Sequence, residues 1–238
     1  MGTRTATATL AAALCLSVGL ALPAAGSATA GGTTAPEPGA AVPQAGVGGL
    51  RAAGGALLGR RQRVTGELPG APSGTAVALQ RSDPERGWVT VATARTERGG
   101  AFAATWRADR AGRTTLRAVP DGGSEARATG LAPSAALTVY PAAIATHFGD
   151  GFWGSRTACG IVLTRQTVGV AHKTLPCGTV LEFYYRGRTV RAPVVDRGPY
   201  ANHAAWDLTM AASRALAFNG KDYVGALAVG RMSLRRAR

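Results

Sequence analysis

From residue 60 to residue 140 the chain is broken into six short runs, at 62–67, 75–80, 88–93, 101–106, 113–119 and 136–140, separated by turn-forming clusters. Within Val77-Ala78-Leu79, Trp88-Val89-Thr90-Val91 and Thr115-Leu116-Arg117-Ala118-Val119 the apolar side chains recur at period two. That is the pattern of strands burying one face. Asp83-Pro84, Arg98-Gly99-Gly100 and Asp121-Gly122-Gly123 supply the turns, so a β-meander or a two-sheet sandwich is expected. The stretch has no His, and its acids are scattered on loops. It reads as a spacer or binding module. Trp88 and Trp106 lie inside strand runs and are read as core rather than as sugar platforms.

What precedes this region is read as delivery. Residues 1–30 open with Arg4, continue through an Ala/Leu/Val-rich core and end in Ala28-Thr29-Ala30, the layout of a secretory signal peptide. The apolar core holds Gly19 and Pro23 and is too short and broken to span a membrane. No later stretch is long enough. Ala12-Ala13-Leu14 before Cys15 makes a poor lipobox, so Cys15 is expected to leave with the signal. Residues 31–58 are assigned to a flexible linker dominated by Gly, Ala and Pro.

The chain has 238 residues and a formal charge of +14, which after removal of the non-globular start suits two small domains. Lysine occurs only at 173 and 221, so arginine carries the charge. Residues 56–140 hold 12 basic and 7 acidic side chains, and residues 143–238 hold 13 and 5. Outside the cytoplasm such a surface suits anionic wall polymers and lipid head groups. No nucleic-acid-binding motif is present, and no nucleic-acid partner is expected.

A different pattern begins at Ala143. The runs 180–185 and 189–195 flank Arg186-Gly187-Arg188 and read as a hairpin. Leu208, Ala211, Ala212, Ala215 and Leu216 fall at helical spacing, with Thr209 as N-cap and Asn219-Gly220 as stop. A last strand at 226–234 can close a sheet. Six or so short strands with one helix suit a small closed barrel. Cys159 and Cys177 are an even pair in an oxidising compartment, for which one disulfide is the simplest expectation. They bracket the segment carrying His172. A metal site is the weaker alternative, because no paired C-x-x-C spacing occurs.

Four motifs in this second region run in order. They are Arg156-Thr157-Ala158-Cys159-Gly160, then Ala171-His172-Lys173-Thr174-Leu175-Pro176-Cys177-Gly178-Thr179, then Val195-Asp196-Arg197-Gly198-Pro199-Tyr200, and finally Trp206-Asp207-Leu208-Thr209. Together they resemble the double-psi β-barrel of the rare lipoprotein A family, related to the barrels of expansins and barwin-type proteins. The resemblance covers residues 142–238. Residues 59–141 are similar in pattern to the small immunoglobulin-like domains of secreted bacterial proteins. The expected fold is all-β, an immunoglobulin-like sandwich followed by a six-stranded double-psi barrel with one short helix.

The resemblance implies a lytic transglycosylase of peptidoglycan, acting as a secreted monomer without cofactor or metal. In that family the His of the second motif and the Asp of the third are functional, which here are His172 and Asp196. The family also uses a Glu shortly after Thr-Ala-x-Gly, and Ile161 stands in that place. A lytic transglycosylase can manage with one carboxyl group, first as acid on the leaving oxygen and then as base on the muramyl C6 hydroxyl. Membrane-bound lytic transglycosylase A, another double-psi barrel, is such a case. Asp196 is expected to serve if Val194 and Val195 bury it, with His172 orienting it or binding substrate. Trp153, Tyr200 and Trp206 are candidates to stack on sugars, and Arg197 to meet muropeptide carboxylates. His147 and His203 are read as structural or solvated.

A second reading comes from expansins, which loosen wall polymers without cutting them. Their important Asp lies in an Asp-Leu-Ser motif, matched by Asp207-Leu208-Thr209. An Asp at that place can also simply favour the helix that follows. A third reading is an inert structural barrel.

Overall fold

The computed structural model describes residues 49–122 and 132–234. The signal peptide, most of the linker and the Arg235-Arg236-Ala237-Arg238 tail lie outside the described residues.

Among the described residues the first region has the strands β1 (Gly55–Leu57), β2 (Arg61–Glu67), β3 (Ala76–Asp83), β4 (Gly87–Arg95), β5 (Ala101–Arg107), β6 (Gly112–Pro120) and β7 (Ser134–Tyr140). They form a five-stranded sheet of order β1-β7-β6-β3-β4 and a two-stranded ribbon, β2-β5. The two sheets share one core: Val64, Phe102, Ala104 and Trp106 from the ribbon meet Val77, Leu79, Leu116 and Val139 from the larger sheet. Period-two alternation accounts for this, since residues 102, 104 and 106 of β5 are buried while 105 and 107 are exposed.

Two expectations change here. Leu50 is fully buried in this core, and β1 pairs in parallel with β7 from Gly55↔Thr138 to Leu57↔Tyr140. The linker assigned to 31–58 therefore ends by residue 49. Trp88 is 38% exposed, with the Arg117 guanidinium 4.1 Å above its ring. It lies near the start of β4, the last strand of the sheet order, and is not core.

The second region is a closed barrel of β8 (Ala142–His147), β9 (Val170–Ala171), β10 (Thr179–Tyr185), β11 (Arg188–Asp196), β12 (Trp206–Leu208) and β13 (Asp222–Arg231), in the order β10-β11-β9-β12-β8-β13. Its interior is filled by Ala145, Val170, Phe183, Val194, Leu208 and Val224, among others. The β10–β11 hairpin turns at Arg186 and Gly187, both with positive φ (46° and 84°), as a two-residue turn on right-twisted strands requires. The α-helix α1 (Met210–Leu216) packs on β11.

Thr209 caps α1 as its sequence suggests: its Oγ1 accepts from Ala212 N–H and also from Gly169 N–H, tying the helix start to the approach to β9. The helix stops earlier than Asn219-Gly220. Ala217 takes the left-handed conformation, and Phe218 N–H bonds the Ser213 carbonyl. This turns Phe218, 4% exposed, into the core against Tyr185. The last strand likewise begins at Asp222, where it pairs with Ala145 of β8.

Tyr140, at the end of β7, stacks on Tyr184 of β10 with ring centroids 5.2 Å apart and donates its hydroxyl to Glu182 at 2.8 Å. A Cβ at Gly225 would meet the Tyr140 Cβ at 2.4 Å. The glycine lets β7 and β13 approach.

Candidate active site on the barrel wall

Ala171 of β9 is in register with two carboxylates. Asp196 of β11 pairs with it on one side and Asp207 of β12 on the other. Thr146 of β8 lies opposite Asp207 and extends the row to a fourth strand. Adjacent strands lie about 4.8 Å apart, so the row Thr146-Asp207-Ala171-Asp196 crosses roughly 14 Å of wall, with the small Ala171 side chain between the acids. A bulge between Val194 and Asp196 sets this register. Val194 enters the barrel core and Val195 packs against Gly169, and the extra residue re-aims Asp196 beside Ala171.

The two acids have different surroundings. Asp196 Oδ1 accepts from two backbone N–H groups, Ala158 and Arg197, both at 2.8 Å. Asp207 accepts from the Thr146 hydroxyl at 2.7 Å. Burial pushes the Asp207 carboxyl above its ordinary value, and the neighbouring Asp196 charge acts in the same direction; the Thr146 hydroxyl and His147 oppose them. Asp207 is therefore the member of the pair whose surroundings favour the protonated form. It belongs to β12, and the helix that follows is capped by Thr209 instead.

A covering loop closes one side. Phe148 and Leu163 pack on Ala171, and Phe152 packs on Phe148 with centroids 6.0 Å apart. Within the loop, Thr157 N–H donates to the Ile161 carbonyl, and Ile161 N–H to Thr157 Oγ1. Ile161 thus sits in a tight turn beside the disulfide Cys159–Cys177. That disulfide lies next to Ala158, whose N–H holds Asp196.

His172 follows β9. Its Nδ1 accepts from Thr174 and Leu175 N–H, at 3.2 and 3.0 Å, which leaves the proton on Nε2. Its ring lies 4.5 Å from Trp206, and its backbone N–H donates to the Asp196 carbonyl at 3.2 Å. Among the described residues its ring makes no hydrogen bond to the Asp196 carboxylate. Burial lowers its pKa below 6.5, and the charges of Arg197 and Lys173 lower it further. A folded-state value below the unfolded one means stability is lost as pH falls through the unfolded value near 6.5. In His172→Asn the amide oxygen can accept the same two N–H bonds without titrating. Thermal melts should show the parent losing stability between pH 7.5 and 5.5, with a shallower loss in the variant. Parallel losses would contradict this role for the ring.

The other candidates divide. Trp206 is 8% exposed and packs edge-on against Phe183 inside the barrel, so it is not a loop-borne sugar platform: residue 206 begins β12 and its side chain alternates inward. Arg197 turns its guanidinium toward the His172 and Asp196 carbonyls and Cys177 Sγ, at 3.3 to 3.4 Å. Tyr200 is 80% exposed on the turn after Gly198, which has φ +111°. Trp153 is half-buried. Its neighbour Phe152, 55% exposed on the covering loop, is an aromatic that the sequence reading passed over; its place in Gly-Asp-Gly-Phe-Trp-Gly was the available signal. His203 is exposed, whereas His147 packs edge-on against Phe218. Among the described residues no group of three His, Cys, Asp or Glu side chains gathers as metal ligands would, and no helix is long and apolar enough to cross a membrane.

A closed six-stranded barrel carrying these motifs in this order is of the double-psi class, and residues 141–228 match the family model described as lytic transglycolase. The chain is 40% identical over 79 residues to the probable endolytic peptidoglycan transglycosylase RlpA of Aquifex aeolicus, covering 32% of this chain and 35% of that one. It is 34% identical over 106 residues to the protein of the same name from Treponema pallidum, covering 44% and 31%. The second region is therefore an RlpA-like double-psi β-barrel. The matches span about a third of the length of these relatives. Among solved structures, Streptomyces papain inhibitor aligns at 27% identity over 36% of this chain and 91% of its own, with a TM-score of 0.27, too low to bear on the fold.

Proposed function

We propose that the chain is a secreted peptidoglycan lytic transglycosylase whose cleavage site is the wall row between Asp207 and Asp196. The observation that carries the reading is the shared register of both acids with Ala171, together with the desolvation that pushes the half-buried Asp207 carboxyl above its ordinary value. Relatives named as endolytic peptidoglycan transglycosylases support the substrate class.

In this reading Asp207 holds the proton. It gives that proton to the glycosidic oxygen as the bond from the muramyl C1 breaks, and the bonding electrons stay with the leaving sugar. The muramyl C6 hydroxyl attacks C1 and surrenders its proton to Asp196, closing a 1,6-anhydro ring; Asp196 then releases that proton to solvent and Asp207 takes one up, which restores both acids. Two carboxyls in unlike surroundings suit such a division of acid and base. The acid role shifts from Asp196 to Asp207 because Val194 packs in the barrel core and Val195 against Gly169, whereas desolvation pushes the half-buried Asp207 carboxyl upward. Phe152 and Tyr200 offer exposed rings for neighbouring sugars. Residues 1–30 serve as the export signal, and the first region is an immunoglobulin-like spacer.

Ile161 favours a second reading, expansin-like loosening without cleavage, because the family's Glu is missing there. Mass spectrometry of glycan strands, with and without stem peptides, separates the two. New 1,6-anhydromuramyl ends are expected. Reducing ends would mean hydrolysis, and wall binding without new ends would put the expansin-like reading in place of the lytic one.

A further inference from the structure

The outward face of the β2–β5 ribbon carries arginines with no acidic partner among the described residues. Residues 64 and 66 of β2 and 102, 104 and 106 of β5 are buried, which leaves Arg61, Arg63 and Arg107 exposed on the other side. Arg61 and Arg107 stand directly opposite each other in register, and Arg63 lies opposite Thr105. Arg51, also exposed, bridges to Thr65 on the free edge of β2 and brings a fourth guanidinium. Like charges directly opposed across a strand pair are destabilising. Elsewhere in the same region acids are used to pair arginines: Asp83 and Asp109 hold Arg81, and Asp83 also holds Arg110. Among the described residues none of Arg51, Arg61, Arg63 and Arg107 makes an ion pair. Arg107 instead donates Nε to the Gly59 carbonyl at 2.9 Å, which holds its head on the face.

A shallow groove of about 320 Å³ runs along this face past Arg51, Arg63 and Thr65 and ends at Glu67 and Glu97. Arg61 and Arg63, two residues apart on one strand, lie about 6.8 Å from each other. The face thus gathers four exposed cations, with acids at one end of its groove. We propose that the ribbon face binds a linear phosphodiester polyanion of the cell wall and so anchors the chain beside its glycan substrate. Guanidinium forks suit phosphate oxygens. No aromatic side chain on the face offers a base-stacking platform, which weighs against single-stranded nucleic acid. The proposal rests on the reading of the chain as a wall-acting protein, but its residues are far in sequence from the barrel acids.

The test uses the mature full chain and purified sacculi, either intact or stripped of phosphodiester polymers with hydrofluoric acid. Retention on intact sacculi should exceed that on stripped sacculi about tenfold at low salt and fall steeply as salt rises. The variant R61Q/R63Q/R107Q should lose that excess and bind soluble poly(glycerol phosphate) about tenfold more weakly, while melting no lower than the parent because the opposed charges are gone. Its yield of glycan ends from stripped sacculi should match the parent's. Equal retention on both kinds of sacculi would overturn the proposal, as would an excess that survives the variant or a DNA duplex that competes as well as poly(glycerol phosphate). Loss of polymer binding in a chain that makes no glycan ends would keep this proposal and remove the catalytic one.

Discussion

Asp207→Asn is expected to lower the yield of new glycan ends by about 10³-fold, the scale of a lost general acid, while the protein melts at or above the temperature of the parent at neutral pH. The two effects share one cause. Burial holds the Asp207 carboxyl toward its protonated form, so folding must either desolvate the charge or keep the proton. For an acid whose folded-state pKa is raised, this cost is absent below the unfolded value and grows as pH rises through the folded one. Asn fits the same space and can still accept from the Thr146 hydroxyl, but it has no charge to desolvate. The stability gain should therefore vanish at acidic pH, which melts at two pH values would show. A purely structural Asp207 would give the reverse, a variant less stable at neutral pH with its activity intact. Asp196→Asn should also abolish cleavage, because the amide cannot take the C6 proton, although its Oδ1 can still accept both backbone N–H groups.

Removing the disulfide, as Cys159→Ser with Cys177→Ser, is expected to cost about 3 kcal/mol, as for loops of this length, and to reduce cleavage more than tenfold. The sequence separation is 18 residues, and β9, which carries Ala171 of the acid row, lies inside the closed loop. The stronger consequence is local. Ala158 N–H reaches Asp196 Oδ1 from the residue before Cys159, and Arg197, whose guanidinium touches Cys177, reaches it with its backbone N–H from just beyond β11. Without the bridge the covering loop loses its anchor, so kcat should fall more than substrate affinity. Amide exchange at Ala158 should accelerate beyond the change seen in the barrel core. Uniform acceleration throughout the barrel would mean that the bridge stabilises the fold and does not position the acid.

The sequence made the parts that depend on near neighbours legible. The β10–β11 hairpin is readable because two strand-like runs flank Arg186-Gly187-Arg188, and Thr209 is readable as a cap because a hydroxyl before an apolar helical stripe has few other uses. Pairings between distant segments are not. Strand β9 is two residues long and joins β11 in parallel and β12 in antiparallel fashion, so nothing local announces that Ala171 separates two acids. Without that pairing Asp207 looks like a residue placed for its helix, and the bulge that re-aims Asp196 has no signature in Val-Val-Asp. The same blindness explains Leu50 and β1, whose partner lies some eighty residues on, at β7. Aromatics misled in both directions. Trp206 looked loop-borne and is buried between His172 and Phe183, whereas Trp88 looked like core and lies exposed under Arg117.

Whether Asp207 is the proton-bearing acid can be measured without substrate, by following its side-chain carboxyl carbon by NMR in the full chain as pH is raised. The account predicts a midpoint clearly above the ordinary value of 3.8, moving down in Asp196→Asn as the neighbouring charge disappears. A midpoint at or below 3.8 would leave Asp207 ionised at working pH and contradict its role as the acid.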